Sequence, residues 1–230
     1  NPSNLTYMMH NGQIEDVIEA RSNGIPATVT EDLSSGKFVP VVNPQGTTIT
    51  VSVQGDKPSG TWLKTTKQII ERLVTDFGEV NSRFDSGDLD SSNLSTFDAA
   101  NQQPIGVYLK RRENVKQLCD EIAASVGAQL AMSRAGKLQL HTIDLPPPGT
   151  PTQITTADII DDTIAITERV PVVAAVQVGY AKNWSVQDSL DTGIPQEHKD
   201  LFAKEWLTTT SEDSTTKTNY RLDAEPEQID

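Results

Sequence analysis

RENVKQLCDEIAASVGAQLAMSRAGKLQL, residues 112–140, decides how the chain is read. Val115, Leu118, Cys119, Ile122, Ala123 and Val126 recur at three- and four-residue spacing, which puts them on one face of a helix. A helix over residues 114–126 follows, with Gly127 where a C-terminal cap belongs. Beyond the glycine the period changes. Residues 128–132 and 137–143 read as two strands, with good alternation in the second and Arg134-Ala-Gly136 between them as a turn. A helix, its stop and a hairpin are therefore expected in sequence, joined by short connections.

The same reading extends upstream. Residues 105–109 (IGVYL) read as a strand. Trp62, Leu63, Ile69, Ile70, Leu73, Val74 and Phe77 share a helical face, which predicts a helix over 63–77 capped by Gly78. Residues 79–95 are rich in Ser, Asp, Asn and Gly and read as loop, with a short strand at 80–84; residues 94–100 read as one or two helical turns. Asn23-Gly24 is a strong turn signal and joins residues 14–20 to 25–30 as a hairpin. Ser35-Gly36 is a second turn. Pro40 interrupts the run Phe38, Val39, Val41, Val42 and suggests an edge position. Residues 47–53 (TTITVSV) alternate between apolar and Thr/Ser positions and give the clearest strand. Residues 55–60 are a linker.

Downstream, residues 146–151 (PPPGTP) form a stiff linker. A short helical turn is expected from 154 to 158, then strands at 164–170 and 172–180. The second strand is nearly continuous apolar, as in a buried central strand. A helix follows over 196–206 with Pro195 at its first position. The Thr-rich run after Leu207 reads as extended, and residues 223–230 as an acidic linker. The expected class is α+β and β-rich, with small meander or barrel-like domains and inserted helices. The expected parts are a β-meander (1–58), a helix–strand–helix–hairpin domain (59–145), a strand-and-helix domain (152–222) and the linker (223–230) to a further C-terminal part.

Composition narrows the function. The chain has 230 residues, with 19 Lys and Arg against 32 Asp and Glu, a net charge of −13 and a pI near 4.6. A surface this acidic has no global attraction for phosphate backbones or anionic membranes, and no apolar run approaches the roughly 18 residues a spanning helix needs, so neither specific nucleic-acid binding nor a membrane segment is expected. Cys119 is the single cysteine, which rules out an intrachain disulfide and a cysteine-rich zinc site. The apolar fraction is 36%, a little low for a compact globule. That thin content, and a start at Asn1 without Met, suggest a piece of something larger or a subunit that completes its burial against a partner.

No catalytic or metal constellation stands out. His10, His141 and His198 lie in unrelated elements, and a nucleophile needs an adjacent base. No G-x-S-x-G elbow occurs. Asp85, Asp88 and Asp90 (DSGDLD) fail as a calcium loop, because Asn93 stands where Gly is needed and Ala99 where Glu is needed. Asp161-Asp162 has no ligand partner at suitable spacing. Phosphate-binding glycine loops are absent. Lys110-Arg111-Arg112 is the one basic cluster and reads as a local salt-bridging patch or a contact to an acidic neighbour rather than a nucleic-acid site. No cofactor, metal or catalytic residue is therefore assigned. Trp62, Tyr180, Trp184 and Trp206 are the candidate core or interface anchors.

Residues 112–140 resemble a module of the tail-tip and baseplate hub proteins of long-tailed bacteriophages, in which a helix ending in Gly leads into such a hairpin. TITVSVQG (48–55), VQVGYAKNWSVQ (176–187), the helix at 196–206 and the acidic, Thr-rich run after it look like the same family. The resemblance implies a structural subunit at the distal end of the tail tube. It implies a homo-oligomeric ring, with a trimer favoured, other phage tail proteins as neighbours, a place in the virion and assembly in the bacterial cytoplasm. It carries no catalytic residue. An acidic lumen that DNA passes without sticking agrees with the charge.

Two other classes compete. A surface adhesin or carbohydrate-binding module predicts a monomer with an exposed aromatic platform built on Trp62, Trp184 or Trp206. A hydrolase predicts two of Asp85, Asp88, Asp161 and Asp162 about 5–10 Å apart in a cleft.

Overall fold

Asn23 and Gly24 both adopt positive φ, 47° and 84°, the conformation a tight two-residue hairpin turn requires. In the computed structural model, which describes residues 5–42, 46–142, 153, 155, 172–222 and 227–229, this turn organises the N-terminal strands. Strands β1 (Tyr7–Met8), β2 (Ile14–Ser22), β3 (Ile25–Pro26), β4 (Val29–Asp32), β5 (Lys37–Pro40) and β6 (Ile49–Asp56) follow in order. They form two three-stranded sheets, β1-β5-β4 and β3-β2-β6. The ladder of β2 against β6 slips by one residue between Val17 and Glu19. That bulge at Ile18 resets the alternation, so Val17 and Ala20 are both buried although three apart. It explains the mixed apolar pattern of residues 17–20.

Pro40 reads from the sequence as an edge signal, but β5 is the middle strand of its sheet. The proline is tolerated because the pairing with β1 reaches only as far as Phe38. Its missing N–H lies beyond the end of that ladder.

Helices α1 (Thr66–Asp76), α2 (Ser91–Ala100) and α3 (Val115–Ala124) follow, then β7 (Ala128–Met132) and β8 (Leu138–Thr142) as an antiparallel hairpin. Each helix starts on a side-chain cap. Thr65 caps α1 in a reciprocal box with Gln68, Asp90 caps α2 and Asn114 caps α3. Ile70, Leu73, Leu94, Phe97, Cys119, Ile122, Leu138 and Leu140 meet in one apolar core. Burying each large side chain there contributes about 1.5–3 kcal/mol. Trp62 and Leu63 precede α1 rather than belonging to it, since Thr65 sets its start.

Three segments differ from the sequence reading. Residues 80–84 form no strand; a 3-10 turn over Val80–Ser82 carries Phe84 onto the core. Helix α2 begins at Ser91, earlier than residue 94, because Asp90 takes the Asn93 N–H. Residues 105–109 join no ladder, although the Ile105 N–H reaches the Lys64 carbonyl at 2.9 Å.

The chain divides into two compact units, Asn1–Leu145 and Pro146–Asp230. The meander of residues 1–58 and the helical part that follows belong to the same unit. The Leu63 N–H bonds to the Asp56 carbonyl at 3.0 Å, and the Arg72 guanidinium to the Asp56 carboxylate at 2.8 Å.

The second unit contains β9 (Ala175–Tyr180), α4 (Gln196–Phe202), β10 (Leu207–Glu212), α5 (Ser214–Tyr220) and β11 (Glu227–Ile229). Strand β9 is central, with β10 antiparallel and β11 parallel to it. It is only half-buried, against the expectation of a buried strand, and Val178 and Tyr180 are exposed. Three further corrections apply. Helix α4 stops at Phe202 and excludes Trp206, because residues 183–187 take the terminal carbonyls: the Asn183 side chain donates to the Phe202 carbonyl at 2.9 Å and the Gln187 N–H at 3.0 Å. Residues 214–220 are helical, because the Asp213 carboxylate caps Thr215 and Thr216. Residues 227–229 pair with β9 instead of running out as linker. The linker at 146–151, the turn at 154–158 apart from Thr155, and the strand at 164–170 lie outside the described residues.

Among the described residues helix and strand occur in nearly equal shares, 29% and 28%. The fold is thus mixed α+β with small, mainly antiparallel sheets, and neither β-rich nor closed into a barrel among the described residues. No described helix is long and apolar enough to cross a membrane.

Candidate functional site

The structure brings together two of the four aromatic anchors, Trp184 and Trp206. Ala181 adopts φ 51° and turns the chain sharply at the end of β9. Lys182 then projects between two indoles, its Nζ 4.7 Å from the ring centroids of both Trp184 and Trp206. Glu205 completes the cluster with a carboxylate oxygen 3.3 Å from the ammonium. Each cation–π contact contributes about 0.5–1 kcal/mol at an exposed site and more when water is excluded. Tyr180 stands in register with Leu207, the neighbour of Trp206.

The strand is shaped for this arrangement. A Cβ at Gly179 would meet the Trp206 ring at 3.4 Å, so a glycine lets the indole lie flat against β9. The Asn183 N–H donates to the Glu205 carbonyl at 2.7 Å, which locks the two arms of the clasp. Trp206 is half-buried, while Trp184 is 39% and Tyr180 49% exposed. The fourth anchor, Trp62, lies in the first unit, half-buried, with Lys64 Nζ 5.3 Å from its ring centroid. Lys182, missed from the sequence, is the centre of the cluster. Its spacing two residues before Trp184 and two after Tyr180 was the available signal.

The remaining candidates are occupied locally. Asp85 and Asp88 cap a 3-10 turn reciprocally: Asp85 Oδ1 accepts the Gly87 N–H at 2.6 Å and Asp88 Oδ2 the Asp85 N–H at 2.9 Å. Asp90 accepts from Asn93 N–H and from the Gln139 side chain, and these bonds hold its carboxyl below the usual range. Asp161 and Asp162 lie outside the described residues. His10 contacts Asp56 at 3.2 Å, His141 contacts Gln139 at 3.1 Å, and His198 packs edge-on to Phe202. Cys119 is fully buried in the core, and burial together with the Asp120 charge pushes its thiol up to about 11. Among the described residues no three His, Cys, Asp or Glu side chains converge on a metal position.

A second concave feature appears in the meander. Between β2 and the segment from Pro26 to Glu31 runs an open groove of about 370 Å³. Sequence periodicity gave no hint of it. No family model matches the chain, and a search of curated proteins finds no match either.

Proposed function

We propose that the chain is a structural subunit of the tail tip or baseplate hub of a long-tailed bacteriophage. In this reading it assembles with copies of itself, as a trimer, into a ring at the distal end of the tail tube. It lies among other tail proteins in the virion, is assembled in the bacterial cytoplasm, supports host attachment and DNA passage, and has no catalytic role.

One observation carries the proposal: well-formed elements leave apolar side chains uncovered. In the second unit, Ile194 is the single buried apolar residue among those described, while Val178, Tyr180 and Trp184 are exposed. In the first, Tyr108 and Leu109 are exposed beside a dense core. Side chains left this way are what a neighbouring subunit covers. The resemblance of residues 48–55, 112–140 and 176–187 to hub proteins supplies the identity, and the charge of −13 suits a lumen that repels DNA. Negative-stain microscopy of the purified protein tests this. Rings with threefold views are expected; isolated single-copy particles would overturn it.

A second reading, a surface adhesin or carbohydrate-binding module, is favoured by the exposure of Trp184 and Tyr180 at one strand end, since an aromatic face can stack on a sugar ring. It predicts a monomer that binds glycans and loses that binding on Trp184→Ala.

A further inference from the structure

We infer that the open groove in the meander receives residues 108–112 of a second copy of the chain, and that this contact is the repeating interface of the ring. This inference rests on the reading of the chain as a ring-forming subunit.

The groove is an unzipped hairpin. Across the Asn23-Gly24 turn, Ser22 pairs with Ile25 and Arg21 with Pro26, and the Ala27 N–H still reaches the Ala20 carbonyl at 2.8 Å. Continued in the same register, Ile14 falls opposite Leu33, and the Ile14 N–H does bond to the Leu33 carbonyl at 2.9 Å. The ladder is thus pinned at both ends and open in the middle. Two features open it. The bulge at Ile18 displaces one lip, and the other lip leaves β2 to pair with β5. The Val41 N–H donates to the Thr28 carbonyl at 3.0 Å, so by antiparallel alternation Val29 and Glu31 turn their backbone N–H and C=O away from β5. Val17, Ala20, Ala27 and Val29 give the lips apolar walls, and Glu19 and Glu31 are the charged residues of the lining. Glu19 is held by Arg21 at 2.7 Å and Glu31 is exposed. An opening with apolar walls, backbone polar groups and an acidic end suits side chains with an apolar stem and a cationic head.

The chain carries such a segment. Residues 105–109 have strand composition and yet join no ladder among the described residues. Ile105 and Val107 pack against the core, which fixes the segment and leaves Tyr108 and Leu109 exposed. Lys110, Arg111 and Arg112 follow, all exposed. Arg111 reaches Glu113 at 2.8 Å with its side chain 84% exposed. Apolar and then basic residues on one surface thus complement apolar walls and the exposed Glu31 on another. Because the two surfaces differ, the contact is heterologous, the type that closes into rings when the rotation permits.

Charge reversal tests the contact in the full chain by sedimentation equilibrium. Glu31→Lys alone, and Arg111→Glu with Arg112→Glu, are each expected to weaken association by roughly tenfold or more, and the combination to restore it. Singly reversed proteins that assemble as tightly as the parent, or a combination that restores nothing, would overturn the interface and leave the ring reading standing. A parent protein that never assembles would overturn both. An independent check avoids charge. Val29→Cys and Leu109→Cys proteins are mixed and oxidised, Cys119 being buried. Disulfides between unlike variants support the contact; disulfides between like variants alone contradict it.

Discussion

The β7–β8 hairpin and the β9-centred sheet use strands of similar length, five and six residues, and end in different states. In β8, Leu138 and Leu140 are buried under α2 and α3. In β9, Val178 and Tyr180 face outward. The hairpin is stabilised by apolar area removed from water. The sheet around β9 is held by directional contacts: paired backbone, the Lys182 clasp, and the Asp213 cap. A region of the first kind is complete in one chain, whereas one of the second kind retains apolar surface for a neighbour.

The largest effect that would break this contrast is in the core. Leu140→Ala is expected to cost about 2–5 kcal/mol, read by chemical denaturation. A cost near zero would mean that the hairpin does not depend on its core. Trp206→Ala comes next, at about 1–3 kcal/mol, from lost aromatic packing and one cation–π contact. Lys182→Met should recover part of the packing and lose the charge contact. In the opposite direction, Thr66→Val is expected to stabilise by about 1 kcal/mol. The Thr66 hydroxyl is buried without a hydrogen-bond partner among the described residues.

The pH response separates the regions further. Hydrogen bonds from Thr216 and Thr215 hold the Asp213 carboxyl below its ordinary value. A depressed pKa gives stability that is present above about pH 4, the unfolded value, and is lost as pH falls through the lower folded value. Amide exchange in α5 should therefore accelerate in acid before exchange in α3 does, and Asp213→Ala should abolish that acid sensitivity. The smallest effect is chemical. Cys119, with its thiol pushed to about 11, should resist a disulfide reagent at neutral pH until denaturant is added. Rapid labelling of the native protein would contradict a closed core.

What was legible in the sequence follows the same division. Helix α3 and the hairpin after it were readable because their signals are local: the three- and four-residue apolar spacing from Val115 to Val126, Gly127 at φ 69°, and alternation through β8. The Asn23-Gly24 turn was readable for the same reason. Residues 105–109 carry strand composition, but a ladder needs a second strand, and composition does not supply one. Helix α4 was read too long because its end is set by Asn183 and Gln187, distant in sequence. Helix α5 was missed because Thr-rich composition argues for strand, while one aspartate at the cap outweighs it. Trp184 and Trp206 were visible as residues, but their meeting around Lys182 depends on the register of β9 with β10. The groove was invisible, since it arises where a hairpin fails to close.

Assembly is the central claim, and sedimentation equilibrium of the unaltered protein over a wide concentration range tests it most directly. The account predicts a mass of three chains, 25.1 kDa each, dissociating toward one chain only on dilution. A single-chain mass at every concentration would contradict it.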